Sequence, residues 1–181
     1  VDPVSDNVQT ITLAGGCFWC LEAVFQRIRG VVAVESGYSN GHTPDPQYEQ
    51  VCSGNTGHAE VVRVQFGPRE VSLEELLAVF FAVHDPTTLN RQGQDVGTQY
   101  RSGIYTHAAD QTEVVKRVMA EAQGAWPNPI VTELQPVSGY VKAEAYHQRY
   151  FENHPEAGYC AFVVAPKVER FQRAFRRLLS A

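Results

Sequence analysis

Apolar residues recur along the chain with two alternating periods. Residues 8–14 (VQTITLA) are rich in β-formers and run into Gly15-Gly16, which predicts a strand closed by a turn. Directly afterwards Leu21, Val24, Phe25 and Ile28 follow i, i+3, i+4, i+7 spacing, so the pattern predicts an amphipathic helix over 18–29, with Gly30 as its terminator. Residues 31–38 return to a strand pattern, and 39–47 (SNGHTPDPQ) are turn formers. A short helical turn is expected at 48–52 and a strand at 59–66. Ser72 and Glu75 match a capping box that opens a helix with Leu73, Leu76, Leu77 and Phe80 on one face. Residues 84–98 form a long polar loop, of a length that usually covers or builds a site. A strand follows at 99–106. A helix is predicted at 110–123, with Val114, Val115, Val118 and Met119 inward and Gly124 and Pro127 as the stop. Then come a strand at 130–136, a helix at 142–153 ended by Pro155, and a helix at 168–179 carrying Phe171, Ala174, Phe175 and Leu178. Strands alternating with helices predict a sheet covered by helices, an α/β or α+β layered fold.

Composition narrows this only a little. With 181 residues, 44% hydrophobic and 19% charged, the chain is ordinary globular material for a single domain, 1–181, with 1–7 expected to be a flexible N-terminal segment. The net charge of −5 argues against a broad nucleic-acid surface. The one basic cluster, Arg170, Arg173, Arg176 and Arg177, reads as a solvated helix face. No apolar run reaches the length of a membrane span, and the polar opening Val1-Asp2-Pro3 carries no signal-peptide pattern. A monomer in the cytoplasm is the expectation. Four cysteines do not make a disulfide scaffold, so cysteine here reads as chemistry or as core filler.

The chemistry gathers at Gly15-Gly16-Cys17-Phe18-Trp19-Cys20 (GGCFWC). Cys17 follows a strand and a tight turn and opens a helix, where unpaired N–H groups and the positive end of the helix dipole favour a thiolate. The expected consequence is a thiol pKa below the usual value and a nucleophilic Cys17. Cys20, one turn on, makes a thiol–disulfide exchange pair the obvious rival. A zinc site lacks a second Cys-x-x-Cys, so no metal is expected. Phe18 and Trp19 would wall an apolar pocket suited to a small apolar substrate group, or simply fill core. The motif alone leaves the nucleophile and the exchange pair both open.

Strand alternation in Ala59–Phe66 places Glu60, Val62, Val64 and Phe66 on one face. A carboxyl heading that apolar face is partly desolvated, which raises its pKa and suits a general acid. A lone glutamate at a strand end more often turns into water; beside an activated thiol the balance shifts. Tyr48 and Tyr100, near loop ends, are hydroxyls that could hydrogen-bond a developing oxyanion.

Six segments, GGCFWCLEAVFQRIRGV, SGYSNG, YEQVCSGNTGHAEVV, QGQDVGTQYRSGIY, EAYHQRY and GYC, occur in an order that resembles the A-type peptide methionine sulfoxide reductases over roughly 11–160. The resemblance implies a two-layer sandwich of helices on a mixed β-sheet with a ferredoxin-like core. It implies that Cys17 attacks the sulfoxide sulfur and that Glu60, assisted by Tyr48 and Tyr100, protonates the departing oxygen. By the same resemblance Phe18 and Trp19 hold the S-methyl group, and Asp95, His147 and Tyr150 line the substrate. The implied reaction is reduction of the S epimer of methionine sulfoxide, free or in protein. No cofactor is implied beyond an external dithiol, thioredoxin. Cys160, in a Gly-flanked segment expected to be mobile, matches the recycling cysteine. Cys20 is the alternative resolver, but a bridge to Cys17 is expected to distort the helical turn. Cys52 is expected to be a bystander.

Overall fold

The computed structural model describes residues 8–180; the segment expected to be flexible, 1–7, lies outside them. The chain begins with β1 (Gln9–Gly15), α1 (Phe18–Phe25), β2 (Val31–Ser39), α2 (Tyr48–Cys52), β3 (Ala59–Phe66) and α3 (Leu73–Val83). A small hairpin, β4 (Arg91–Gln92) and β5 (Asp95–Val96), precedes β6 (Ser102–Thr106), α4 (Ala109–Gln123), β7 (Glu133–Pro136) and β8 (Val141–Lys142). The C-terminal part holds α5 (Tyr150–Asn153), a π turn (Cys160–Val164) and α6 (Ala165–Ala174).

Six strands form one mixed sheet in the order β7-β6-β1-β3-β2-β8. All its pairings are antiparallel except β6 with β7. The four central strands alternate with α1 and α3 in the chain order β1-α1-β2-β3-α3-β6. The alternation read in β3 holds. Val62, Val64 and Phe66 enter the main core with Ile11 and Leu13 of β1, under α1, α3 and α6, while Val61 joins Ala14, Ala59 and Tyr105 on the opposite face. Ser72 caps α3 as expected, its hydroxyl accepting from the Glu75 N–H while the Glu75 carboxylate accepts from Ser72 N–H.

At two element ends where prediction and structure differ, a bond from outside the expected element has taken its backbone groups. The helix expected over 18–29 ends at Phe25, because Arg29 N–H donates to the Leu178 carbonyl and Arg27 accepts from Ser180 N–H. The strand expected from residue 130 starts at Glu133: Ile130 N–H bonds the Gln123 side chain and Val131 N–H the Pro86 carbonyl. Residues 98–100 form a 3₁₀ turn before β6 rather than its first residues. The loop at 84–98 contains the β4–β5 hairpin. The helix expected over 142–153 is the largest departure. Val141–Lys142 pairs with Tyr38 and Gly37, a 3₁₀ turn spans Ala145–His147, and Arg149 sits at φ 53°. Gln148 accepts from Ser36 N–H and donates to the Ser36 carbonyl, closing the edge of β2 with a side chain. Helical bonding gives way there to covering a sheet edge. The last helix is also displaced, running over Ala165–Ala174 and followed by a 3₁₀ turn at Arg176–Leu178. The four arginines near it are solvent-exposed, as read.

Candidate active site

β1 delivers the chain through Gly15-Gly16 into α1, and the turn depends on Gly16. Its φ is +94°, and a Cβ there would lie 2.6 Å from Gln92 Cγ of the small hairpin. Cys17 is the N-cap of α1, with extended backbone (φ −63°, ψ 126°) and no side-chain oxygen to accept from the first helical N–H groups. The capping role falls to Glu60. Its Oε1 accepts from Phe18 N–H at 3.2 Å, so the carboxyl that heads the apolar face of β3 also takes one of the unpaired donors of α1. Glu60 is 1% exposed, and its second oxygen, Oε2, has no partner. Burial pushes its pKa up to about 8, with the Phe18 N–H lowering and Asp95 raising it. At neutral pH this carboxyl holds its proton, as the sequence reading required.

The thiol departs from expectation. Burial, the neighbouring Glu60 and Cys20 push the Cys17 pKa well above its ordinary value. The Trp19 N–H acts in the opposite direction, as a helix N-terminus should, but one N–H does not outweigh desolvation beside two acidic groups. The resting site therefore holds a neutral thiol against a neutral carboxyl.

The structure gathers the other residues predicted from the sequence around this pair. The Phe18 ring is fully buried, 6.3 Å from Tyr48 and 5.1 Å from His147. Trp19 stacks on Tyr150 at 3.9 Å and 8°, and its indole N–H donates to His147 Nδ1 at 3.1 Å. That bond fixes the tautomer of a neutral His147: burial lowers its pKa, and Nε2 carries the proton without a partner. Tyr48 and Tyr100 both lie within electrostatic reach of Glu60, and burial raises both phenol pKa values, so each remains a donor. Asp95, at the start of β5, accepts from the Tyr159 hydroxyl at 2.8 Å. Cys160 does not open onto this cluster. It is fully buried at the start of the π turn, in the same core as Cys20, rather than on a loose segment. Cys52 is exposed at the end of α2, with Tyr48 among the groups that bear on its thiol.

Sequence reasoning missed three residues of this wall. Tyr38 lies opposite Glu60 in the β2–β3 register, and its hydroxyl donates to Glu144 Oε1 at 2.8 Å. Glu144 Oε2 accepts from Tyr48 N–H at 3.0 Å, so one carboxylate ties β2 to α2. Tyr159 sets its ring edge-on to Trp19. All three stand inside the matched segments SGYSNG, EAYHQRY and GYC, which is the one signal that marked them. Among the described residues no group of three or more His, Cys, Asp or Glu side chains is placed to hold a metal ion.

Such a site can pass one proton to a leaving oxygen while a sulfur attacks from an apolar, aromatic-lined side. The comparisons with known proteins agree with that chemistry. The family model described as peptide methionine sulfoxide reductase matches residues 9–178. The peptide methionine sulfoxide reductase MsrA of Thermus thermophilus is 53% identical over 168 residues, 93% of this chain and 96% of that protein. Methionine sulfoxide reductase A of Corynebacterium diphtheriae superposes with a TM-score of 0.77 at 37% identity, covering 86% of this chain and 79% of that one. Reduced Mxr1 from Saccharomyces cerevisiae gives a TM-score of 0.80 at 39% identity, over 88% of this chain and 91% of that one. Mxr1 in complex with Trx2 gives 0.57 at 30% identity, over 82% and 87%.

Proposed function

This chain belongs to the peptide methionine sulfoxide reductase family, and from that premise we propose that Cys17 and Glu60 together reduce the S epimer of methionine sulfoxide, free or protein-bound. The observation that carries the mechanism is the buried Glu60 carboxyl, protonated at neutral pH and bonded to the N–H of the residue after Cys17. Sulfoxide oxygen leaves poorly until it is protonated. Glu60 gives its proton to that oxygen, and the Cys17 sulfur attacks the sulfoxide sulfur. The thiol proton passes to the carboxylate thus formed, so a neutral pair is the correct starting state and no base has to be ionised in advance. Tyr48 and Tyr100 donate to the oxygen as charge develops on it. The oxygen, now a hydroxyl on the sulfurane formed by that attack, transfers to the Cys17 sulfur: the new S–S bond and the S–O bond break, an O–S bond to Cys17 forms, and methionine departs, leaving Cys17 as a sulfenic acid.

Phe18 and Trp19 receive the S-methyl group, with His147 and Tyr150 behind them and Asp95 on the side of the substrate backbone. Cys160 closes the oxidised state as a disulfide, and thioredoxin reopens it. The Trx2 complex of a structural relative supports an external dithiol partner of that kind. Incubation of the reduced protein with peptides carrying each sulfoxide epimer tests the proposal by mass spectrometry. Loss of one oxygen from the S epimer alone is expected; an intact S sulfoxide overturns it.

A further inference from the structure

Tyr48 has little backbone to hold it in place. It opens α2, a helix of five residues, and a helix that short is not stable alone. Its position is set by bonds from elsewhere in the chain. At its far end the Gln99 amide donates to the Cys52 carbonyl at 3.2 Å, and Gln99 is the residue before Tyr100. At its near end Glu144 Oε2 accepts from the Tyr48 N–H at 3.0 Å. The Tyr48 ring packs on Phe18 and His147, with centroids 6.3 and 4.3 Å away. Those contacts fill space, whereas the two hydrogen bonds have direction.

The other oxygen of Glu144 reaches the sheet. The Tyr38 hydroxyl donates to Oε1 at 2.8 Å, and Tyr38 is fully buried in β2, opposite Glu60 in the strand register. A continuous path therefore runs from Glu60 across the ladder to Tyr38, through one carboxylate, to the first N–H of α2. Burial works against ionising Glu144, but the Tyr48 N–H and the Tyr38 hydroxyl outweigh it and hold its pKa below the ordinary value. Both oxygens thus remain acceptors. The main chain of the same residue serves the opposite wall. Its carbonyl accepts from His147 N–H at 3.0 Å, and His147 Nδ1 accepts from the Trp19 indole.

We infer that Glu144 is a positioning residue, whose carboxylate fixes α2 to the strand pair carrying Glu60 and so aims the Tyr48 hydroxyl at the sulfoxide oxygen. The inference rests on the donor role proposed for Tyr48. Glu144 acts through its two bonds and takes no part in the transfer of proton or oxygen. Such a device is needed because a donor works only where charge develops, and a displacement of about 1 Å can cost about 10²-fold in rate. Without it the donor would depend on a short helix held at one end.

The test is single-turnover reduction of an S-sulfoxide peptide by the full reduced chain, followed over peptide concentration. Glu144→Ala breaks both bonds and keeps the main-chain carbonyl. Its saturating rate is expected to fall by about 10- to 100-fold, with the half-saturating concentration staying that of the parent. Glu144→Gln can still accept from the Tyr48 N–H with its amide oxygen and donate to the Tyr38 oxygen with its amide nitrogen, so it should restore most of the rate. In a Tyr48→Phe background, already slowed by loss of the donor, Glu144→Ala should cost nothing further. A Glu144→Ala rate equal to the parent's, a fall undiminished in the Tyr48→Phe background, or a Glu144→Gln no faster than Glu144→Ala would each overturn the inference. Should Glu144→Ala fail to fold, Tyr38→Phe breaks one arm only and is expected to slow the parent by about twofold to tenfold, and not to slow Tyr48→Phe. A Tyr38→Phe rate equal to the parent's would then overturn it. Tyr48→Phe as fast as the parent would instead defeat the donor role on which the inference rests.

Discussion

The two halves of the site stand on different kinds of backbone. Cys17 follows β1, Glu60 is near the start of β3, and Tyr38 in β2 is its register partner, so the reacting half hangs from three adjacent central strands. Asp95, His147, Tyr150 and Cys160 stand on a two-residue strand, a 3₁₀ turn, a four-residue helix and a π turn. The first half is fixed by ladder hydrogen bonds. The second is fixed by side chains, through Trp19 to His147, Tyr159 to Asp95 and Gln148 to Ser36. Groups that transfer a proton and an oxygen need fixed separation. Groups that admit a substrate and then a reductant must yield, and elements with few backbone bonds open at the least cost.

The strongest way to break this comparison is to disable the strand-borne half. Cys17→Ser should abolish methionine formation. Glu60→Gln should slow the reductive step by about 10²–10⁴-fold at neutral pH. Because Glu60 titrates near 8, the parent's single-turnover rate should be level below that pH and fall above it. The variant should lose that limb and suffer least in acid, where solvent supplies the proton. A variant as fast as the parent at pH 7 would remove the carboxyl from the reaction.

The same substitution should stabilise the fold. The pKa of Glu60 is raised, so above the ordinary carboxylate range the native state binds the proton that the unfolded chain has lost. Stability from this group is complete below its unfolded pKa and declines as pH rises toward 8. Thermal unfolding of Glu60→Gln should therefore occur higher than the parent's at pH 8, with the gap closing near pH 4. His84 runs the other way. Buried between the Phe80 carbonyl and the Ser102 hydroxyl, it has a pKa lowered to about 4. The unfolded chain takes up that proton first, so stability falls on acidification from about 6.5 to 4. Replacing His84 should flatten that acid limb in a pH series of melts.

These two halves also differ in how far the chain revealed them. Cys17 at a helix start and Glu60 at the head of an apolar strand face follow from periodicity, since residues at fixed spacing in regular elements share a face. The pKa of Cys17 did not follow. A helix N-terminus and Cys20 one turn on are visible in sequence, whereas the burial of the thiol and the approach of Glu60 from β3 are not. The region from 142 to 153 carries helix-like spacing, but its residues cap β2 and build the Trp19 wall. Such irregular structure is set by distant partners such as Ser36, 112 residues away from Gln148. There the motif resemblance located residues that periodicity misassigned.

Within the irregular half, the Trp19–Tyr150 stack has its rings 3.9 Å apart and nearly parallel, and Tyr150→Ala should raise KM for a sulfoxide peptide with little change in single-turnover rate. An aromatic pair contributes about 0.5–1.5 kcal/mol beyond buried area, so the rise should be about twofold to tenfold. A fall in the chemical rate at unchanged KM would mean that the turn-borne wall takes part in the reaction itself.

The smallest effect sharpens the division most. Cys52 is exposed at the end of α2, the short helix that Tyr48, one of the proposed oxyanion donors, begins. Proximity alone would make it a third candidate for resolving Cys17. Cys52→Ser changes one exposed side chain for another of similar size, which usually costs within about 0.5 kcal/mol. Methionine release and dithiol-supported turnover should both stay within about twofold of the parent. If turnover stalls while the first methionine is still released, the thiol path runs over the surface through α2. Cys160, buried on its π turn, would then be a core residue, and the turn-borne half would serve recognition alone.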